Sequence, residues 1–195
     1  MGRRNLHSKI ELQELILQAA YELINKGGFQ SITARNIAAK IGYTPGTLYH
    51  AFENLDDILI HLKSKALDKF ILFFDDYFSN KKFTIEDFIK FYIEYCNKFQ
   101  QDWSLLSEKH LEKNSLPAWY QEKISNTFKY LVTHVSSFTG TDLKKSVMIT
   151  KLVWSSCQGL CSLSTAGKLE LIDEKDLESL CSEFSRMFKI FEHSS

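Results

Sequence analysis

The sequence predicts an all-α protein of about nine helices, and three observations lead there. Apolar residues recur at helical spacing through nearly the whole chain, with no run of strand-like alternation. Only 2 of the 195 residues are proline, so long helices can run unbroken. The 15 Phe, 8 Tyr and 3 Trp supply bulky side chains for a core between helices. Hydrophobic residues at 44% and charged residues at 25% fit a water-soluble globular chain.

The first helix starts at Ser8 and Glu11, an S-x-x-E capping box. Leu12, Leu15, Ile16, Ala19, Ala20 and Leu23 form its apolar stripe, and Gly27-Gly28 ends it. Phe29 and Ile32 follow as plugs for a small core. Residues 33–52, TARNIAAKIGYTPGTLYHAF, then read as two short helices joined by a tight turn. Ile37, Ala38 and Ile41 give the first an inner face, and Gly42 stops it where a positive φ is needed. Thr44 and Pro45 restart the chain as N-cap and first helical residue. The second helix is expected over 45–52, with Leu48 and Phe52 inward. Thr44, Thr47, Tyr49 and His50 are left facing elsewhere, the geometry of a helix that enters the major groove. For Tyr49, packing and phosphate contact both stay open. Asn54 caps the next helix, with Asp56 and Asp57 at its positive end. Ile58, Leu59, Leu62, Ala66, Phe70, Phe73 and Tyr77 carry it to about residue 78. One long helix thus starts beside the reader and can carry motion into the body.

Thr84 caps a helix with Ile85, Phe88, Ile89, Tyr92, Cys96 and Phe99 inward. A short helix is expected within 100–114, and Pro117 restarts a longer one that Gly140 closes. Asp142 opens a helix that is apolar on more than one side. Ser155, Gly159, Ser162 and Ala166 lie near one face of it and would let another helix approach closely. The last helix carries Leu177, Leu180, Phe184 and Phe188 along one side. Two such helices at the end of a chain predict a four-helix interface across a two-fold axis; closure of the monomer's own core is the alternative. The chain is read as a head over 8–68 and a body over 69–195.

The net charge of +0 hides an asymmetry. Through residue 52, Arg3, Arg4, Lys9, Lys26, Arg35 and Lys40 face only Glu11, Glu14 and Glu22. The head carries a surplus of three positive charges and the remainder the matching deficit, which suits a polyanion at one end. The cysteines, Cys96, Cys157, Cys161 and Cys181, lack C-x-x-C spacing and read as small core hydrophobes of a reduced, cytoplasmic protein. No apolar leader and no spanning run is expected. Phosphate loops, H-E-x-x-H, Glu-x-x-His pairs and G-x-S-x-G are all missing, so no enzyme, cofactor or metal is expected.

The order Thr33-x-Arg35-x-Ile37-Ala38-x(3)-Gly42-x-Thr44-x-Gly46-Thr47-Leu48-Tyr49-x(2)-Phe52 resembles the DNA-binding motif of the tetracycline-repressor (TetR) family, over roughly residues 8–68. The resemblance implies that Thr33 and Arg35 anchor phosphates while the second helix enters the major groove. Thr47, Tyr49 and His50 then match positions that meet phosphate or base edges, and Thr44, Pro45 and Gly46 sit at the tip nearest the bases. Asn54 flanks this surface. Arg3 and Arg4 form a short arm, either a solvated tail or a contact to phosphates or the minor groove. Where the family commonly has a lysine near the start of the long helix, this chain reads Glu53-Asn54-Leu55-Asp56. Further on, Trp154 with Gln158-Gly159 is similar to the Trp-x(3)-His-Gly signature of one C-terminal subgroup, with glutamine in place of histidine.

The function expected is a ligand-responsive regulator, a repressor that binds a palindromic operator in double-stranded DNA as a homodimer. A small, largely apolar or aromatic effector would release it, in a pocket drawn from Phe70, Phe99, Trp103, Trp119 and Tyr120. The alternative is a helical small-molecule-binding or adaptor protein without operator-specific DNA binding.

Overall fold

A computed structural model describes residues 8–107, 116–168, 179, 180, 182–184, 186 and 187. Arg3, Arg4, Leu177, Cys181 and Phe188 lie outside them. The described chain is all-α: α1 (Lys9–Gly27), a 3-10 turn (Phe29–Ser31), α2 (Ala34–Ile41), α3 (Pro45–Leu48), α4 (Leu55–Phe78), α5 (Ile85–Lys98), α6 (Gln100–Ser107), α7 (Ala118–Thr139) and α8 (Leu143–Thr165). The described residues between 179 and 187 are helical too. The chain divides into two compact units, here called head and body. Among described residues the head is 8–66 with 116–120 and the body is 67–107 with 121 onward.

In the head, the capping box at α1 is complete: the Ser8 hydroxyl accepts from the Glu11 N–H, and the Ser8 N–H donates to the Glu11 carboxylate at 2.7 Å. Gly42 ends α2 in the left-handed region at φ 74°, and its N–H donates to the Ala38 and Ala39 carbonyls. Ile16, Ala20, Ile37, Ala38, Leu48 and Phe52 make the small core on which the reading motif rests.

One expectation needs correction. α3 is regular only over Pro45–Leu48, not to residue 52. The His50 and Ala51 N–H groups donate to carbonyls three residues back, at 3.3 and 3.0 Å, which tightens the end of the helix into turns. The Gln13 amide then donates to the Ala51 carbonyl at 3.0 Å, pinning that turn to α1.

The body is built on aromatic rings. Phe70 is fully buried, with ring centroids 5.0 Å from Tyr95, 5.2 Å from Phe91 and 5.6 Å from Trp154. Phe74, Phe88 and Ile89 extend this core along α4 and α5, and Val153, Cys157 and Cys161 close it from α8. Such edge-to-face pairs add to the area term that buries them. Among described residues, no helix is long and apolar enough to cross a membrane.

Candidate DNA-reading surface and ligand cleft

The head divides the motif cleanly into an inner and an outer side. Leu48 is fully buried and Phe52 nearly so, which fixes the rotation of α3. Thr33, Arg35, Thr44, Pro45, Gly46, Tyr49, His50 and Asn54 are exposed, and Thr47 is half-buried. Tyr49 presents an aromatic ring 53% exposed, so packing does not explain it.

Several of these side chains have a local task as well. Thr33 caps α2: its hydroxyl accepts from the Asn36 N–H at 3.1 Å, which leaves its own O–H free to donate outward. Thr44 stands at the N-cap of α3, but its hydroxyl does not bond the helix backbone; it meets the Thr47 hydroxyl at 3.1 Å. Two hydroxyls side by side on an exposed tip can donate and accept together. The Asn54 side-chain oxygen accepts from the Asp57 N–H at 2.8 Å, and the Glu53 N–H donates to the Asp57 carboxylate at 3.0 Å. Those bonds fasten the start of α4 directly behind the reader.

The charges are more constrained. Lys40 pairs with Glu22 at 2.7 Å and Lys65 pairs with Glu14. The Lys40 ammonium holds the Glu22 carboxyl below its ordinary range. Arg35 is exposed and has no ion pair among the described residues. Five donors in a planar fork suit such a side chain to a phosphate.

In the body, α6 and α8 form the walls of an open cleft of about 840 Å³. α6 contributes Gln100, Trp103, Ser104 and Ser107; α8 contributes Ser155, Gln158 and Ser162, with Gly159 between them. Of the residues expected to hold an effector, Trp103 is placed here. Phe70 belongs to the packed core, and Phe99 ends α5 with the Lys69 ammonium 4.4 Å from its ring centroid. Trp119 and Tyr120 open α7 and belong to the head, where the Trp119 ring lies 5.0 Å from His61. Burial raises the Tyr120 phenol to about 12.

Beneath the cleft the Tyr92 hydroxyl donates to the Gln158 side-chain oxygen. Burial raises the Tyr92 phenol well above its ordinary value, with the neighbouring thiols adding and the Trp103 N–H opposing. The phenol is therefore a fixed donor. Sequence reasoning noticed Gln158 only as a replaced histidine; its partner, 66 residues away, left no signal. The small-residue face of α8 is exposed: Ser155, Gly159, Ser162 and Ala166 lie open beside Met148, Leu152 and Leu163. Leu180 and Phe184 are half-buried.

This arrangement defines a helix-turn-helix DNA-binding head on an all-α body. Residues 16–62 match the family described as bacterial regulatory proteins, tetR family, and the head is a TetR-family head. An HTH-type transcriptional regulator of Staphylococcus aureus strain USA300 is 34% identical over 74 residues, 36% of this chain. The match spans only 40% of that relative's length. Among solved structures, a TetR transcriptional regulator from Legionella pneumophila superposes with a TM-score of 0.62 at 20% identity, covering 94% of this chain and 98% of that one. The fatty acid degradation regulator FadR from Bacillus halodurans gives 0.63 at 16% identity, covering 90% and 93%. At such identities these two likenesses speak for the fold alone.

Proposed function

We propose that this protein is a ligand-responsive transcription regulator: a cytoplasmic repressor that binds a palindromic operator as a homodimer and leaves it when a small, largely apolar effector binds the body. It performs no chemistry of its own. The observation that carries this reading is the exposed row of Arg35, Thr44, Thr47, Tyr49 and His50 over the buried anchors Leu48 and Phe52. A short helix held rigidly from below, with hydroxyls and a ring above, is built to meet phosphates and base edges.

Residues 8–68 read DNA, and residues 69–195 bind effector and pair with a second copy. The exposed face of α8, where Met148 and Leu152 flank small residues, supports pairing, because small side chains let two helix backbones approach. Two heads on a two-fold axis read half-sites about 34–36 Å apart or a multiple of that. Trp154 with Gln158-Gly159 supports a kinship of the body with the Trp-x(3)-His-Gly subgroup, glutamine standing where that signature has histidine. Effector response needs a path from body to head. α4 supplies one, since its first turns belong to the head and its later turns to the body.

A second reading is a helical ligand-binding or adaptor protein that recognises no operator. Glu53, exposed beside the reading motif where the family commonly has a lysine nearby, favours it. A gel shift with the duplex upstream of the protein's own gene separates the two. Retardation that survives excess bulk DNA supports the regulator; uniform competition supports the adaptor.

A further inference from the structure

We infer that Trp119, the second residue of α7, is a positioning residue for the DNA reader: through the ring of His61 it braces Phe52, an inner anchor of the reading motif. The inference rests on the DNA-reading proposal above and adds to it a residue that acts through others rather than on the duplex.

Three rings make the connection, all within the head. Phe52 is 3% exposed, and its burial helps to set the rotation of α3. Its ring meets that of His61 edge to face, with centroids 5.2 Å apart and planes at 77°. The His61 ring in turn lies 5.0 Å from the Trp119 ring, tilted by 51°. Trp119 packs against Tyr120 at 5.6 Å, and Tyr120 is buried in the head, which seats the first turn of α7 there.

The middle ring is held in place. His61 Nδ1 lies 2.9 Å from the Asp57 carbonyl oxygen and 3.2 Å from the Asp57 carboxylate. Both are acceptors, so Nδ1 carries the proton. The same carboxylate accepts from the Glu53 N–H at 3.0 Å, so Asp57 fastens His61 and the turn that follows Phe52 together. Gln13 pins the backbone of the motif at the Ala51 carbonyl; the His61 and Trp119 rings hold the Phe52 side chain.

Trp119 keeps 42% of its surface in water, so removing it forfeits little buried area. Its contribution is directional, since a ring packed on an imidazole fixes where that imidazole stands. Without it the Phe52 ring gains room, and Tyr49 and His50 on the preceding turn lose their fixed aim. α7 runs on into the body, as α4 does, so the reader is held by two helices that continue there.

The test compares the wild-type full chain with Trp119→Ala and Trp119→Phe. Without DNA, amide hydrogen exchange is followed by NMR at Ala51 and Phe52, whose N–H groups donate to the Leu48 carbonyl. Trp119→Ala is expected to speed exchange at both by about tenfold. Tyr43, whose N–H donates to the Ala38 carbonyl in the same motif, should exchange as in the wild type. Trp119→Phe keeps a ring and should restore the wild-type rates. On the duplex upstream of the protein's own gene, W119A should bind about fivefold more weakly with an unchanged slope of log K against log salt, because no phosphate contact is lost. Should W119A not fold, His61→Ala takes its place with the same expectations. Unchanged exchange at Ala51 and Phe52 would overturn the inference. So would equal acceleration at Tyr43, a phenylalanine variant that behaves like the alanine one, or a shallower salt slope. Wild-type protein that prefers no duplex would sink the regulator reading instead, and the exchange rates would still decide whether Trp119 holds Phe52.

Discussion

Lys69 on α4 is ion-paired with Asp102 on α6, the residue immediately before Trp103. The two ends of the pair differ. The Asp102 side chain is 7% exposed and that of Lys69 is 43% exposed. The Lys69 ammonium also lies over the Phe99 ring, which holds it by cation–π attraction. This bond ties the wall of the cleft to the helix that begins behind the DNA reader.

Removing each partner should therefore have unequal effects. Lys69→Met leaves a buried carboxylate without its cation and is expected to cost about 1–3 kcal/mol in urea unfolding. Asp102→Asn leaves a lysine that can turn into water, and should cost less than about 1 kcal/mol. In an operator-release assay, D102N should keep DNA affinity and weaken the response to effector. A D102N protein that responds normally would remove this ion pair from the path.

Two glycines of the reading motif separate stability from recognition. Gly42 has φ 74° and open space around the position of a Cβ, so Gly42→Ala should cost about 1–2 kcal/mol through backbone strain alone. Gly46 lies in α3, has no positive φ and has nothing within 4 Å of a Cβ. Gly46→Ala should keep or slightly raise the melting temperature. It should weaken operator binding about tenfold, because the new methyl enters the gap between helix tip and bases. Thermal melts and titrations on both variants check this; a G46A protein with unchanged affinity would mean the tip does not approach DNA.

Arg35 should act as a phosphate group. Arg35→Ala is expected to weaken binding to specific and non-specific duplexes alike, and to reduce the slope of log K against log salt by about 1. Because Leu55 stands near where the family commonly has a lysine, the wild-type slope should also be shallower than that of a more basic relative. Anisotropy titrations across a salt series read both.

His134 gives the body a pH dependence. Its ring packs 5.0 Å from Phe74 and 4.9 Å from Tyr130, and burial lowers its pKa below the ordinary 6.5, with Asp75 opposing in part. The unfolded chain then binds the proton more readily. The contribution is present above about pH 6.5 and is lost as pH falls below it. Stability should decline between pH 7 and 5.5, and His134→Gln should flatten that decline. Urea midpoints at the two pH values measure it.

The head was legible because its rules are local. Ser8 with Glu11, Gly42 before Thr44-Pro45, and Asn54 before Asp57 each fix an end of a helix within four residues, and the structure shows the caps at Ser8, Gly42 and Asn54. The length of α3 was less legible, because the bond that pins its final turn comes from Gln13, 38 residues away. The body shows the same division. Asp142 and Gly140 announced their helix ends. The expected pocket gathered aromatics by their irregular spacing, and spacing carries no information on which helix faces which. Trp119 opens α7 in the head, Phe70 fills the core, and Trp103 alone of the five lines the cleft. Lys69 with Asp102, and Tyr92 with Gln158, are long-range pairs between different helices, and no local pattern marks them.

The central claim is that α3 lies in duplex DNA, in duplicate. Hydroxyl-radical footprinting of the protein on the DNA upstream of its own gene tests this most directly. The account predicts two protected segments on one face of the duplex, about 34–36 Å apart or a multiple of that, both lost when Thr47 and Tyr49 are replaced by alanine. Protection that is absent, confined to one segment, or unchanged in that double variant would contradict it.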